Sequence, residues 1–416
     1  VRSIRVPLVS MRPAFDGSAA TWVLIQQVAV RGLAAVKFLA IGRMLGPAAI
    51  GSVGVALLAV AIAEALSDTG LAQAVVQAKA TPTRPELGAV WTTLTARGLL
   101  IGLLLIALAP VMNAQFHLGG SLVLLQMAAA LPLIRGIASP AYYIVQRERH
   151  FAQLAGVETF SAFADCAICL VCAWSGTGVF AVLIGMIVGE TLKTVLTWTT
   201  MGPRPPVRLA WHGIGHYVNF SRWIWAGSVV NLLLNQFDKV LVAKLLGPVA
   251  LGAYQMSSKL AQMLLVDASV ALGQYLFPTF SAHHRREDGS ASRLFFRYLT
   301  VIVLGEVAVV LLLRWTAAPL FMLVLGSAWM SAVPLFKIFV INMAFGATNT
   351  MLVAYLRAIG APKVATHAAV LQAIALVVIV PPSTHLWGVT GVAWAMTAGL
   401  AGSAAWMLYR IVKMPA

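Results

Sequence analysis

Acidic side chains are scarce in this chain. Among 416 residues, 13 are Asp or Glu against 29 Lys or Arg, and the four types together make up 10% of the sequence. Soluble domains carry roughly 25% charged residues. With 60% hydrophobic residues and a mean hydropathy of +0.88, the chain has more apolar surface than one water-soluble core can bury. That excludes a soluble enzyme or binding module and leaves a polytopic membrane protein. Cysteine is sparse too. Cys166, Cys169 and Cys172 share one apolar segment, and with no histidine cluster beside them they read as small packing residues of a membrane helix rather than metal ligands. The sequence has no G-x4-G-K-[ST] nucleotide loop, no H-E-x-x-H and no long polar stretch to form a soluble domain. No catalytic residue, cofactor or metal is therefore assigned, and the expectation is a protein that is not an enzyme. Residues 1–20 carry Arg2, Arg5 and Arg12 without an apolar run, which is not a signal-peptide pattern.

The net charge of +16 and pI of about 10.3 raise nucleic-acid binding as a possibility. The basic residues, however, stand singly between apolar segments, as loop charges that orient membrane helices do. Crossing the hydrocarbon takes about 20 apolar residues. Twelve windows meet that need, at 21–44, 47–66, 88–109, 120–145, 153–174, 178–201, 223–244, 252–276, 295–313, 332–356, 364–381 and 388–411. With both termini in the cytoplasm, nearly all loop Lys and Arg fall on the inside, while Arg43, Lys244 and Arg314 fall outside.

The two halves of the chain match in one respect. Leu45-Gly46-Pro47 with Gly51 recurs as Leu246-Gly247-Pro248 with Gly252, a constant offset of 201 positions (46 to 247, 47 to 248, 51 to 252). A fixed offset marks a duplicated unit, and a Gly-Pro pair ends one helix and resets the next. Pro203, Pro205 and Pro206 break the chain between the copies. The expected architecture is an all-α polytopic fold of about twelve transmembrane helices in two six-helix lobes, 1–201 and 218–416. They are joined by a cytoplasmic and interfacial linker, 202–217, in which His212 and His216 form a polar face. An even number of helices per repeat gives both lobes one orientation, related by an axis along the membrane normal.

Several charges fall inside predicted helices, where each costs roughly 2.5–3.5 kcal/mol against lipid. Arg97, Lys193 and Lys239 lie near window ends and can reach the headgroups. Arg31, Lys37, Arg135, Lys259 and Lys337 lie deeper and need a wet cavity or a partner. Ser228, Asn231, Asn235 and Asp238 share one helix stripe, as do Gln255, Lys259 and Gln262 in the next helix and Arg135, Ser139, Tyr142 and Gln146 in the first lobe. Stripes on both lobes point to a hydrated cavity between them, with fully buried ion pairs as the alternative. Glu190 and Lys193 are spaced for a local pair. A cavity rich in Arg and Lys between amphipathic walls fits a lipid with a phosphate or pyrophosphate headgroup. The candidate substrate residues are Arg31, Lys37, Arg135, Lys259, Lys337, Asn231 and Asn235. The candidate ion-coupling carboxylates are Asp238, Glu64 and Asp165.

The first-hairpin turn Leu45-Gly46-Pro47 with Gly51, the stretch Ser67-Asp68-Thr69-Gly70-Leu71 ending in Val75-Val76-Gln77, and Leu356-Arg357-Ala358-Ile359-Gly360-Ala361-Pro362-Lys363 resemble the bacterial oligosaccharide flippases. These are the polysaccharide-transporter branch of the multidrug/oligosaccharidyl-lipid/polysaccharide exporter superfamily. Ile50 and Thr69 stand where members of that family usually carry an aromatic. The resemblance implies two six-helix bundles in a V and alternating access. It also implies flipping of polyprenyl-pyrophosphate-linked oligosaccharide units across the bacterial inner membrane for exopolysaccharide, O-antigen or capsule assembly, beside a polymerase and chain-length machinery. The alternative within the superfamily is a cation-coupled multidrug exporter, whose cavity is expected to be acidic. A lipid II flippase, with more helices than this chain accommodates, and a non-transporting membrane scaffold are further readings.

Overall fold

Two long helices, each broken once at a glycine, pack closely against one another beside those breaks. The computed structural model describes residues 17–78, 81–116, 122–202, 215–285 and 290–413, without the side chains of 17–20, 215–224, 226 and 266–275. Most of the expected linker 202–217, with His212 and the side chain of His216, lies outside the described residues, as do Arg2, Arg5 and Arg12. The elements are α1 (Gly17–Leu66), α2 (Leu71–Gln77), α3 (Arg84–Gln115), α4 (Leu122–Ala128), α5 (Ala130–Ile137), α6 (Ala141–Arg147), α7 (Phe151–Trp174), α8 (Phe180–Thr200), α9 (Gly215–His284), α10 (Ser290–Val324), a 3-10 turn (Ser327–Ala332), α11 (Val333–Ala358) and α12 (Pro362–Val412). No strand occurs among the described residues.

Eight helices are long and apolar enough to cross a membrane, or nine if the bent segment formed by α4 to α6 is one span. Windows expected as separate helices are continuous here. Residues 21–44 and 47–66 form the one helix α1, and the windows 223–244 and 252–276 both lie in α9. The Gly-Pro pairs do not open loops. They bend the helix through a single residue, Gly46 (φ 75°, ψ −179°) and Gly247 (φ 83°, ψ 177°), in a region of backbone space that favours glycine. Gly388 (φ 58°, ψ −141°) breaks α12 in the same manner.

The outside of the molecule is apolar. Trp174, Trp315, Leu323 and Leu304 are largely exposed, and the most apolar stretch of α10 has no buried residue. An exposed apolar belt of this extent is the surface of a protein solvated by lipid.

The largest core cluster joins residues from the first and second parts of the chain, among them Ile41, Val53, Val242, Leu251, Tyr254 and Phe336. Its centre is a reciprocal contact. A Cβ on Gly51 would overlap the Pro248 carbonyl oxygen, and a Cβ on Gly252 would overlap that of Pro47. The two copies of the motif thus pack on one another backbone to backbone. Trp329 closes the same end, where its buried indole Nε1 donates to the Gly42 carbonyl at 2.8 Å. Leu66 and Trp225 lie about 30 Å along their helices from the two breaks, at 1.5 Å per residue. Here the contact between the parts is slight among the described residues: Trp225 Nε1 donates to the Leu66 carbonyl (2.7 Å) and Ser228 Oγ to Asp68 Oδ2 (2.7 Å). The apolar clusters of this end stay separate, one built on Phe280, Phe295 and Tyr355, the others on Leu87 and Val157.

Candidate functional site

Between the thick and the slight contact lie two chambers, of about 440 Å³ and about 620 Å³. Ala61, Asn235 and Gln236 line both, so they are bays of one central space.

The first bay holds two arginines and two carboxylates, Arg97, Arg135, Glu64 and Asp68. A Cβ on Gly98 would overlap the Pro132 carbonyl oxygen, and one on Gly136 would lie 2.6 Å from that of Leu94. α3 and α5 therefore touch through their backbones, which brings the neighbouring Arg97 and Arg135 to one wall. Arg135 Nη1 donates to both oxygens of Glu64 at 3.0 and 3.1 Å, and Nε donates to Glu190 Oε1 at 2.8 Å. Arg97 donates to the Glu64 carbonyl (2.6 Å) and to Ser67 Oγ (3.1 Å). Glu64 faces the first bay. Glu190 faces a smaller cavity of about 130 Å³ among the amino-terminal helices. One guanidinium thus holds a carboxylate from the lining of each of two cavities.

The second bay carries Lys239 and Lys259 opposite one carboxylate, Asp238. Asp238 is buried. Its Oδ2 accepts from Tyr254 Oη at 2.6 Å, while Oδ1 has no hydrogen-bond partner and lies 3.9 Å from Lys239 Nζ. Lys239 Nζ donates to the Asn235 carbonyl, and Lys259 Nζ to Gln262 Oε1 at 3.1 Å.

Of the candidate residues, Arg135, Lys259, Asn231, Asn235, Glu64 and Asp238 line these bays, whereas Arg31, Lys37, Lys337 and Asp165 are not among the lining residues. Arg31 is exposed on α1. Lys37 is held by Asp165 of α7 at 2.6 Å. Lys337 is half-buried on α11, and its carbonyl accepts from Arg314 at 2.9 Å. The local pair expected between Glu190 and Lys193 does not form. Glu190 turns to Arg135, and Lys193 meets Glu158 at 2.7 Å, because α5 and α7 bring stronger partners than a helix neighbour can.

Arg97 and Lys239, expected to reach the headgroups, line the bays instead. α3 starts at Arg84, so Arg97 is about 20 Å along it, where Glu64 and Ser67 of α1 and its following turn engage it. The Arg-Gly pair at 97–98 and 135–136 recurs at 31–32, where the arginine lies outside the bays, so only the backbone approach at Gly98 and Gly136 distinguishes the two. Together the bays hold four basic residues (Arg97, Arg135, Lys239, Lys259) and three acidic ones (Glu64, Asp68, Asp238). The cationic excess is one charge, smaller than the sequence implies, because carboxylates from distant positions fold onto the bases.

The Lys37–Asp165 pair is mostly buried, at 17% and 23% side-chain exposure. Removing one partner of a buried pair strands the other charge at a cost of about 3–5 kcal/mol, whereas removing both is close to neutral. Lys37→Met is expected to lower the thermal midpoint of the detergent-solubilised protein, and the double variant Lys37→Met with Asp165→Asn to restore most of it. A midpoint unmoved by Lys37→Met would show the pair to be idle.

The family described as "Polysaccharide biosynthesis protein" matches residues 40–334. The chain belongs to that family. It is similar to the teichuronic acid biosynthesis protein TuaB of Bacillus subtilis (strain 168), 22% identical over 78% of this chain and 67% of TuaB. It is also similar to the succinoglycan biosynthesis transport protein ExoT of Rhizobium meliloti (strain 1021), 24% identical over 88% of this chain and 74% of ExoT. Among solved structures, the lipid II flippase MurJ in its inward closed conformation superposes with a TM-score of 0.70, covering 95% of this chain and 88% of MurJ. At 12% identity that likeness concerns the fold alone. The protein is thus a multi-span membrane member of a polysaccharide biosynthesis family.

Proposed function

We propose that the protein translocates a polyprenyl-pyrophosphate-linked oligosaccharide across the bacterial inner membrane by alternating access. The observation that carries this is the central space itself, which holds charged and polar side chains inside a membrane protein of polysaccharide biosynthesis and is lined by Arg97 and Arg135. A guanidinium binds phosphate through paired N–H donors. A pyrophosphate entering the first bay takes the place of Glu64 on Arg135, and the released Glu64 accepts a cation. That exchange couples the headgroup to an ion, with Asp238 and Asp165 as the other candidate coupling sites. Lys259, Asn231 and Asn235 serve the substrate in the same space. Arg31, Lys37 and Lys337 act from outside it, by orienting the helices that carry it.

The architecture in this proposal is twelve spans in two six-helix lobes, 1–201 and 218–416, joined by 202–217. Support comes from breaking α1, α9 and α12 at Gly46, Gly247 and Gly388 and taking α4 to α6 as one span, which yields twelve segments. The like conformations of Gly46 and Gly247, and the reciprocal glycine contacts, favour a parallel pseudo-two-fold. With both termini in the cytoplasm, the thick contact seals the outer side and the slight contact at Trp225 and Ser228 is the inner mouth. A polymerase and chain-length machinery then receive the flipped unit.

The test is transfer of a fluorescent undecaprenyl-pyrophosphate oligosaccharide between leaflets of liposomes, with and without a proton or sodium gradient. Protein-dependent transfer is expected. Uptake of organic cations with no lipid transfer is the outcome that replaces this reading with a multidrug exporter.

A further inference from the structure

The second bay differs in kind from the first. Its polar lining is dominated by carboxamides: Asn235, Gln236, Gln255, Gln262, Asn342 and Gln372, drawn from α9, α11 and α12. Three are already engaged, Asn235 with Asn231 (2.5 Å), Gln262 with Lys259 (3.1 Å) and Asn342 with Thr397 (3.4 Å). The half-buried Gln236, Gln255 and Gln372 have no hydrogen bond among the described residues. Each leaves a carbonyl oxygen and an NH2 group open to the bay. Three such carboxamides beside one cavity place accessible donors and acceptors ready for a hydrogen-bonding occupant.

The geometry points to the second bay as the glycan subsite: its carboxamides take the sugar portion of the substrate, while the two arginines of the first bay take the pyrophosphate. This rests on the flippase reading and deepens it. A sugar hydroxyl both donates and accepts, and a carboxamide offers both functions side by side without requiring charge. A bay of about 620 Å³ is within the range of ordinary small-ligand pockets, about 300–1,000 Å³. Phe339, Met343 and Met396 supply apolar wall for the C–H faces of a ring. Asn235 and Gln236 line both bays, at the place where the phosphate joins the first sugar in this arrangement.

The test uses the full chain in nanodiscs and two probes, undecaprenyl pyrophosphate and the same lipid carrying a tetrasaccharide. Wild-type protein is expected to bind the glycan-bearing lipid at least about ten-fold more tightly, and Gln255→Met with Gln372→Met to abolish that preference. Two lost hydrogen bonds account for a change of that order. Binding of the bare lipid is expected to stay within about two-fold, and the thermal midpoint serves as the check on folding. Equal binding of both lipids by wild type, or an equal loss on both in the variant, overturns the glycan subsite while leaving the flippase reading in place. Binding of neither lipid removes the flippase reading itself, and the subsite with it.

Discussion

Arg135→Gln is expected to abolish lipid-linked oligosaccharide transfer, by about 100-fold or more, in the liposome assay. Truncating one member of a hydrogen-bonded charge pair costs about 2–5 kcal/mol at the partner, and each 1.36 kcal/mol is a factor of ten in rate. Arg135 is the single base shared by Glu64 and Glu190, so its removal also leaves two carboxylates uncompensated. The expected stability loss is about 1–3 kcal/mol. That is below the value for a dry pair, because the Arg135 side chain is 36% exposed and solvent screens part of the field. Two further variants separate the roles. Glu64→Gln keeps the guanidinium and frees it from one carboxylate, so lipid binding is expected to strengthen while any gradient dependence weakens. Arg135→Lys keeps the charge, but a compact ammonium cannot span both carboxylates as the planar fork does, and an intermediate rate is expected. Transfer at the wild-type rate in Arg135→Gln would remove this residue from the mechanism.

Gly51→Val is expected to disrupt the contact that seals the thick end. Its side chain would meet the Pro248 backbone carbonyl, an atom no rotamer change can withdraw. α1 and α9 must separate, at a cost of about 1–3 kcal/mol or more for overpacking. The decisive reading is accessibility. With Cys166, Cys169 and Cys172 replaced by Ala, a cysteine at Asn235 reports on both bays, because Asn235 lines both. A membrane-impermeant thiol reagent applied on the side of Gly46 and Gly247 is expected to label it slowly in the wild-type background and several-fold faster in Gly51→Val. The reciprocal variant Gly252→Val is expected to behave alike, since its side chain would meet the Pro47 carbonyl. Unchanged labelling in both variants would show that the glycine contact does not close the cavity.

Much of the fold is legible in the chain. The apolar windows gave the positions of the helices, since lipid demands long apolar segments whose backbone groups are satisfied internally. The Gly-Pro repeat marked the two breaks, since a residue at positive φ followed by a proline is a local device. The manner of the break was not legible. A Gly-Pro pair suits a loop as well as a single-residue bend, and packing of α1 against α9 around Gly51 and Gly252 keeps the helices nearly continuous. The polar stripe through Asn231, Asn235 and Asp238 of α9 reached the bays as drawn, because positions on one face of a single helix are set by its 3.6-residue period.

The charge partners were settled otherwise. The sequence by itself determined that this is an all-helical membrane protein with a repeated break and with bases too deep to face lipid. Only the tertiary structure decided which carboxylate each base would meet. Glu64, Glu190 and Arg135 come from α1, α8 and α5, and Lys37 and Asp165 lie 128 positions apart. The approach of α3 to α5 at Gly98 and Gly136 chose which arginines would stand together at the first bay. Helical periodicity fixes the face a side chain occupies, and the cost of burying charge fixes that it must find a partner. The identity of that partner depends on how closely separate helices pack, which no single segment of the chain encodes.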